Sequence, residues 1–336
     1  MTTIYVSDSI EEFSKRLKEL DPTLGRKIKD YLPYWWDDEL NNSQGAIQQV
    51  LISIAKFIGL DIKSVLNTTE PLRFKNSICC YKHASNKEQH ELAAATAIVQ
   101  SLANTVANIT VNEYSFIQNP QTIRNNFLNE GKPCVDFKSL VSYCWQHGIP
   151  VLYLPELPVS KKMDAVVVDV NGRPVISLTK KHKHESELLF LLAHEMGHIF
   201  HQHLTCGQTL VDTGVNELNG NERDEQEKQA NAFAIELLTG SEDTQFHSNG
   251  WRLKAETLAE AAKTKSREMQ VDAGHIVLNW GHTTQHFNIA KCALNILYPN
   301  PNWENYVKTQ LCENIDEDKA NEDQLEYLYR LAKIEE

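Results

Sequence analysis

The sequence predicts an α+β protein in which a small β-sheet lies beside a metal-binding helix, with helical regions at both ends. Three observations carry this. Apolar residues recur at spacings of three and four through much of residues 8–66 and again after residue 255, as on one face of a helix. Two valine-rich runs, Ala165 to Val170 and Val175 to Leu178, flank Asn171-Gly172, a pair suited to a tight hairpin turn. An apolar run is interrupted by His194-Glu195-Met196-Gly197-His198, and buried polar groups need partners.

In chain order, Ile10, Phe13, Leu17 and Leu20 share a helix face, Pro22 follows, and a second helix runs toward Tyr31. Pro33 interrupts, a third helix runs from about Ile47 to Ile58, Gly59 stops it, and a short one ends at Leu66. Residues 1–75 are therefore expected as one helical domain and 76–88, polar and carrying Cys79-Cys80, as a linker. A helix from about Gln89 to Ala107 opens the next domain, 89–245, and another near Phe137 to Gln146 leads into a strand at Pro150 to Leu154. The hairpin follows, and its second strand, Val175 to Thr179, is expected at the sheet edge. There Val175 and Ser177 would pair with an extended substrate backbone, with a plain core hairpin as the alternative. Residues 246–336 are expected as a helical extension, with helices at Ala255 to Arg267, His275 to Trp280, Ile289 to Leu297 and Gln324 to Ile334.

The H-E-x-x-H segment carries the chemistry. Residues four apart lie on one helix face, so His194 and His198 can offer two imidazoles to one ion, and Glu195 flanks them. Two neutral imidazoles suit zinc, Zn2+, and a carboxylate beside it can act as a general base in peptide hydrolysis. A third histidine six residues after His198 is absent, because Leu204 stands there. His201 and His203 read as solvated or hydrogen-bonded residues near the helix end. The third ligand is sought on the next helix, Glu222 to Leu238, whose apolar face holds Ala230, Phe233, Ala234, Leu237 and Leu238. Glu227 faces inward with them, Asp224 shares its face as a rival, and Asn231 is placed to hold a ligand in orientation. His275 and His282 are candidates to stabilise an oxyanion, against an ordinary structural role.

The block from Leu191 to His198, followed by Glu227 to Leu238, resembles the ImmA/IrrE family of metallo-endopeptidases. Upstream, His147 to Pro158 and Gly172 to Thr179 resemble the strands that precede the metal helix in that family. The resemblance covers about residues 136–240, and Val271 to Leu278 resembles a helical extension of some members. It implies a zincin-like, gluzincin fold with His194, His198 and Glu227 on zinc and Glu195 as general base. It also implies a protein substrate, a repressor- or antitoxin-like regulator of the helix-turn-helix class. Its cleavage would control a stress, mobile-element or phage-defence response. Ile52 to Asn67 resembles the final helices of a repressor-type (XRE-type) helix-turn-helix domain. The chain departs from the family at Leu237-Leu238-Thr239-Gly240, where a proline often closes the block, and at Glu187 to Leu192, which replace a basic residue and a threonine.

Bulk properties bound these readings. A chain of 336 residues with 41% hydrophobic content suggests two or three packed domains. A net charge of −12 disfavours unspecific nucleic-acid binding, and Trp35 to Leu40 (WWDDEL) suits a phosphate-facing surface poorly. Protein recognition by the first domain is expected over DNA binding. The alternative is a DNA-binding regulator or sensor whose zinc is structural. The amino terminus lacks a signal-peptide pattern, no apolar run is read as a membrane span, and no membrane partner is expected. Seven cysteines without a C-x-x-C pair argue against a disulfide framework, so a reducing cytoplasm is expected.

Overall fold

The computed structural model describes residues 9–75, 78–81, 86–204, 208–212, 225–248 and 253–334. Among the described residues, four α-helices come first: α1 (Ile10–Leu20), α2 (Pro22–Lys27), α3 (Gln44–Phe57) and α4 (Ile62–Leu66). Polar caps start them. Asp21 accepts from the Thr23 and Leu24 amides, both at 2.8 Å, with Pro22 in the first turn where its missing N–H costs nothing. Arg16 of α1 donates to the carbonyls of Ser64, Asn67 and Glu70, tying α1 to the end of α4.

Next come β1 (Ile78–Tyr81), α5 (Asn86–Ile109), α6 (Pro120–Asn129), α7 (Phe137–Gln146), β2 (Val151–Tyr153), β3 (Ala165–Val170), β4 (Arg173–Leu178), α8 (Glu185–Phe200), β5 (Gln208–Asp212) and α9 (Glu225–Thr239). The expected linker thus supplies a strand and the first turn of α5. The sheet order is β1-β5-β3-β4-β2. Asn171 and Gly172 have φ of 53° and 88°, the left-handed pair that a two-residue hairpin matched to strand twist demands. Strands β3 and β4 are almost wholly buried, with α5 and α8 each packed on both of them. Within α5, Glu91–Ile109 is long and apolar enough to cross a membrane, contrary to the expectation that no apolar run is a membrane span, and most of it is buried in this core.

The placement of β4 corrects the substrate-strand expectation. Its backbone pairs antiparallel with β3, from Val170↔Arg173 to Ala165↔Leu178, and parallel with β2, from Val151↔Ile176 to Tyr153↔Leu178. Val175 and Ser177 are 0% exposed, and β4 has no free edge to offer a peptide. A hairpin's own pattern does not show what joins its outer side. Here the three-residue β2 does so, and the edges of the sheet are β1 and β2.

The last helices are α10 (Ala255–Met269), α11 (Ala273–Thr284), α12 (Phe287–Leu297), α13 (Trp303–Glu313) and α14 (Glu322–Ala332). The region expected as one extension divides. Helices α10 to α12 enclose a small core of their own around Leu258, Ile276, Trp280 and Leu294. Helices α13 and α14 join the main core. Trp303 of α13 meets Tyr153 edge-on at 4.7 Å, and Tyr327 of α14 stacks on Phe57 of α3 at 4.1 Å. Aromatic contacts of this kind add to area burial, so the first and last helices of the chain share one apolar core.

Candidate metal centre

Helix α8 is buried on nearly every side: Leu188, Leu189, Leu192, Ala193 and Met196 are at most 1% exposed. His194, Glu195 and His198 are equally enclosed, at 1%, 0% and 0%. Helix α9 approaches them unusually closely. A Cβ on Gly197 would stand 2.8 Å from both the Cα and the carbonyl oxygen of Ala230, so only glycine fits there. Glu227, three residues before Ala230, is thereby carried to the histidines.

The three side chains form a compact triangle. His194 Nε2 and His198 Nε2 lie 3.1 Å apart, and the two Glu227 oxygens lie 3.3 Å from His194 Nε2 and His198 Nε2 respectively. Among the described residues this is the group of histidine, cysteine and carboxylate side chains whose atoms converge as metal ligands do. Tetrahedral zinc with bonds of about 2.0–2.1 Å requires ligand atoms roughly 3.3 Å from one another, so the triangle fits such an ion. The protonation states fit as well. Burial pushes the His198 imidazole down to about 4, with Glu227 opposing and His194 and His203 adding to the shift. Burial alone would raise the Glu227 carboxyl, but the two histidines outweigh it and hold it well below the usual carboxylate range. A neutral imidazole and an ionised carboxylate are the forms that bind a divalent cation.

The remaining ring nitrogens are held from behind. His194 Nδ1 meets Asn231 Oδ1 at 3.0 Å, the place expected for that residue. An amide oxygen can only accept, so Nδ1 carries the proton and Nε2 keeps its lone pair. His198 is held by a chain the sequence reading did not find. Its Nδ1 lies 2.8 Å from His203 Nδ1, and His203 Nε2 lies 2.9 Å from Gln229 Oε1. The Gln229 oxygen accepts a hydrogen bond from His203 Nε2–H, which leaves His203 Nδ1 unprotonated to accept from His198 Nδ1–H. His198 Nε2 is again left unprotonated, facing the triangle. His203 thus takes the hydrogen-bonded form of its expected role. Only the backbone turn after α8, which folds His203 back on His198, identifies the partner; His203 N–H donates to the His198 carbonyl at 3.0 Å. His201 is exposed and stacks on His203 at 5.5 Å.

Asp224, the rival ligand, lies outside the described residues. His275 is 2% exposed and stacks on Phe190 at 5.9 Å, and the Phe190 ring is 6.4 Å from that of His194. One phenyl ring therefore stands between His275 and the triangle. Neither His275 nitrogen has a hydrogen-bond partner among the described residues. His282 packs edge-on against Phe287 at 5.3 Å.

Residues 144–265 match the family model of the IrrE N-terminal-like domain, Peptidase_M78. The match supports the ImmA/IrrE family and a metallopeptidase-type function for this part of the chain. The matched M78 segment contains α8, β5 and α9 whole, and with them every member of the triangle. It begins at the end of α7 and stops inside α10, so α1 to α6 and α11 to α14 lie outside it. No curated protein and no solved structure gives a match to the chain.

Proposed function

We infer that the protein is a zinc-dependent endopeptidase that makes site-specific cuts in a regulatory protein. The observation that carries this reading is the buried His194–His198–Glu227 triangle with Glu195 beside it, inside a segment that matches a peptidase family model. His194, His198 and Glu227 are the residues that would hold the metal. A bound zinc supplies Lewis acidity, which polarises a carbonyl and makes water a usable nucleophile near neutral pH. Glu195 takes the proton of the attacking water and returns it to the leaving amine. Asn231, and His203 with Gln229, orient the two imidazoles and keep their Nε2 lone pairs unprotonated. A structural zinc in a DNA-bound regulator would have no use for a carboxylate at Glu195. The substrate class, a helix-turn-helix repressor or antitoxin-like regulator, rests on the family resemblance, as does the stress, mobile-element or phage-defence response it would control.

The test is co-incubation with the product of the neighbouring gene, with and without a chelator, followed by mass spectrometry of the fragments. One or two chelator-sensitive cuts are expected, with little digestion of casein. Glu195→Gln should retain about one zinc per chain yet lose cleavage by several orders of magnitude. Glu227→Gln should lose zinc while Asp224→Asn keeps it. Cleavage by Glu195→Gln, or zinc loss confined to Asp224→Asn, would remove these role assignments.

A further inference from the structure

Phe190 lies on α8 one turn before His194, and residues four apart share a helix face. Its ring centroid is 6.4 Å from that of His194. The aliphatic residues around it on the helix, Leu188, Leu189, Leu191 and Leu192, are buried, whereas Phe190 keeps part of its surface exposed. One large apolar ring therefore meets solvent directly beside a buried polar triangle.

The ring is backed by a second one. His275 of α11 lies nearly parallel to it, with centroids 5.9 Å apart and planes within 11°. Burial pushes that imidazole down to about 4, so it is neutral near pH 7. Its nitrogens have no hydrogen-bond partner among the described residues, and it packs as an aromatic slab. Phe190 is thus fixed between two rings with one part of its surface still open.

The polar groups nearest Phe190 on this side are committed elsewhere. The Asn231 oxygen is taken by His194 Nδ1 at 3.0 Å. Glu187, one turn before Phe190, pairs with His182 Nδ1 at 3.4 Å and accepts from the His184 amide at 3.3 Å. A side chain arriving beside His194 meets an apolar ring, and the carboxylate next to that ring is already paired. In an extended chain successive side chains point to opposite sides. Of the two residues flanking a bond held at the triangle, one is therefore turned toward α8.

We propose that Phe190 is a specificity-determining residue of the metal centre, forming the wall of a subsite that takes an aromatic or long aliphatic side chain next to the scissile bond. The inference rests on the peptidase reading and narrows its substrates to proteins with such a residue at the cut.

The probe is a series of N-acetylated amino-acid hydroxamates, whose two hydroxamate oxygens chelate zinc and leave one side chain beside it. Binding to the zinc-loaded full chain is measured by isothermal titration calorimetry. The phenylalanyl and leucyl compounds should bind at least about tenfold more tightly than the alanyl one, since one methylene in an apolar pocket is worth roughly 10–200-fold. The glutamyl compound should gain nothing over alanyl. In Phe190→Ala the phenylalanyl-to-alanyl ratio should fall to about one, while metal analysis still finds about one zinc per chain. Phe190→Leu keeps an apolar wall and should retain the preference. Equal affinities across the wild-type series, a tighter glutamyl compound, a ratio unchanged in Phe190→Ala, or its complete loss in Phe190→Leu overturns the inference and leaves the peptidase reading intact. A zinc-bearing wild type that binds no hydroxamate has no room beside the metal and overturns it equally. A wild type that holds no zinc removes the peptidase reading itself, and this inference with it.

Discussion

The close approach of α8 and α9 makes Gly197→Ala an informative substitution. In a free helix this change is favourable by about 1 kcal/mol. Here the new Cβ would lie 2.8 Å from the Ala230 Cα and carbonyl oxygen, whereas comfortable carbon contacts begin near 3.5 Å. The helices must separate by roughly 0.7 Å. That opens the 3.3 Å spacings between Glu227 and the two histidines toward 4 Å, while ligand distances must hold to about 0.2 Å. Overpacking costs about 1–3 kcal/mol, so net destabilisation is expected to be up to about 2 kcal/mol, with zinc affinity falling at least about tenfold. The obstacle is backbone and Cα, so adding Ala230→Gly should not rescue it. Gly45→Ala in α3 is the control, because nothing lies within 4 Å of its added Cβ and it should be neutral or stabilising. The assays are competition with a chromophoric chelator and thermal melting with and without zinc. Wild-type zinc affinity together with an unchanged or raised Tm would refute the reasoning.

Three further outcomes follow from the same geometry. His203→Ala should leave His198 Nδ1 unheld and lower zinc affinity by roughly 10–100-fold, with a smaller loss for Gln229→Ala; equal affinity in both variants and wild type would dismiss the hydrogen-bond chain. His275 is pushed down to about 4 by burial, with His282 contributing, from an ordinary 6.5. Above pH 6.5 it is neutral in both folded and unfolded chains. Between 6.5 and about 4 only the unfolded chain takes the proton, so stability drops as pH falls, by roughly 2 kcal/mol at pH 5 and about 3 kcal/mol by pH 4. His275→Phe should shallow that decline in urea melts at pH 7.5 and pH 5, and an unaltered decline would exclude His275 as its source. Arg124 is 5% exposed and donates to the carbonyls of Leu238, Met269 and Gln270 at 2.8, 3.0 and 2.9 Å, joining α6 to the ends of α9 and α10. Arg124→Met keeps much of the volume but strands three acceptors, and should cost about 3 kcal/mol or more in chemical denaturation; a loss below ~1 kcal/mol would show that water replaces the guanidinium.

Much of this protein was legible as sequence because its signals are local. Spacing of four put His194 and His198 on one face, and alanines beside Glu227 marked the inward side of α9. Asn171-Gly172 marked the hairpin, since few other pairs accept two left-handed residues. Helices α6 and α13 were missed: both are short and carry only a modest apolar face. What local pattern does not contain is who lies next to whom. The three-residue β2 pairs with β4 and removes the edge expected at Val175 and Ser177. β1, inside an expected linker, pairs with β5 from the middle of the M78 segment, well over a hundred residues further along the chain. The rear support of His198 needed the turn after α8 to return His203 to the helix it had just left. The sequence alone determined which residues could bind a metal, because helical periodicity is a property of neighbours along the chain. The tertiary structure decided the sheet edges, the helix spacing at Gly197 and the rear support of His198, because each arises from segments brought together only by burial of the shared core.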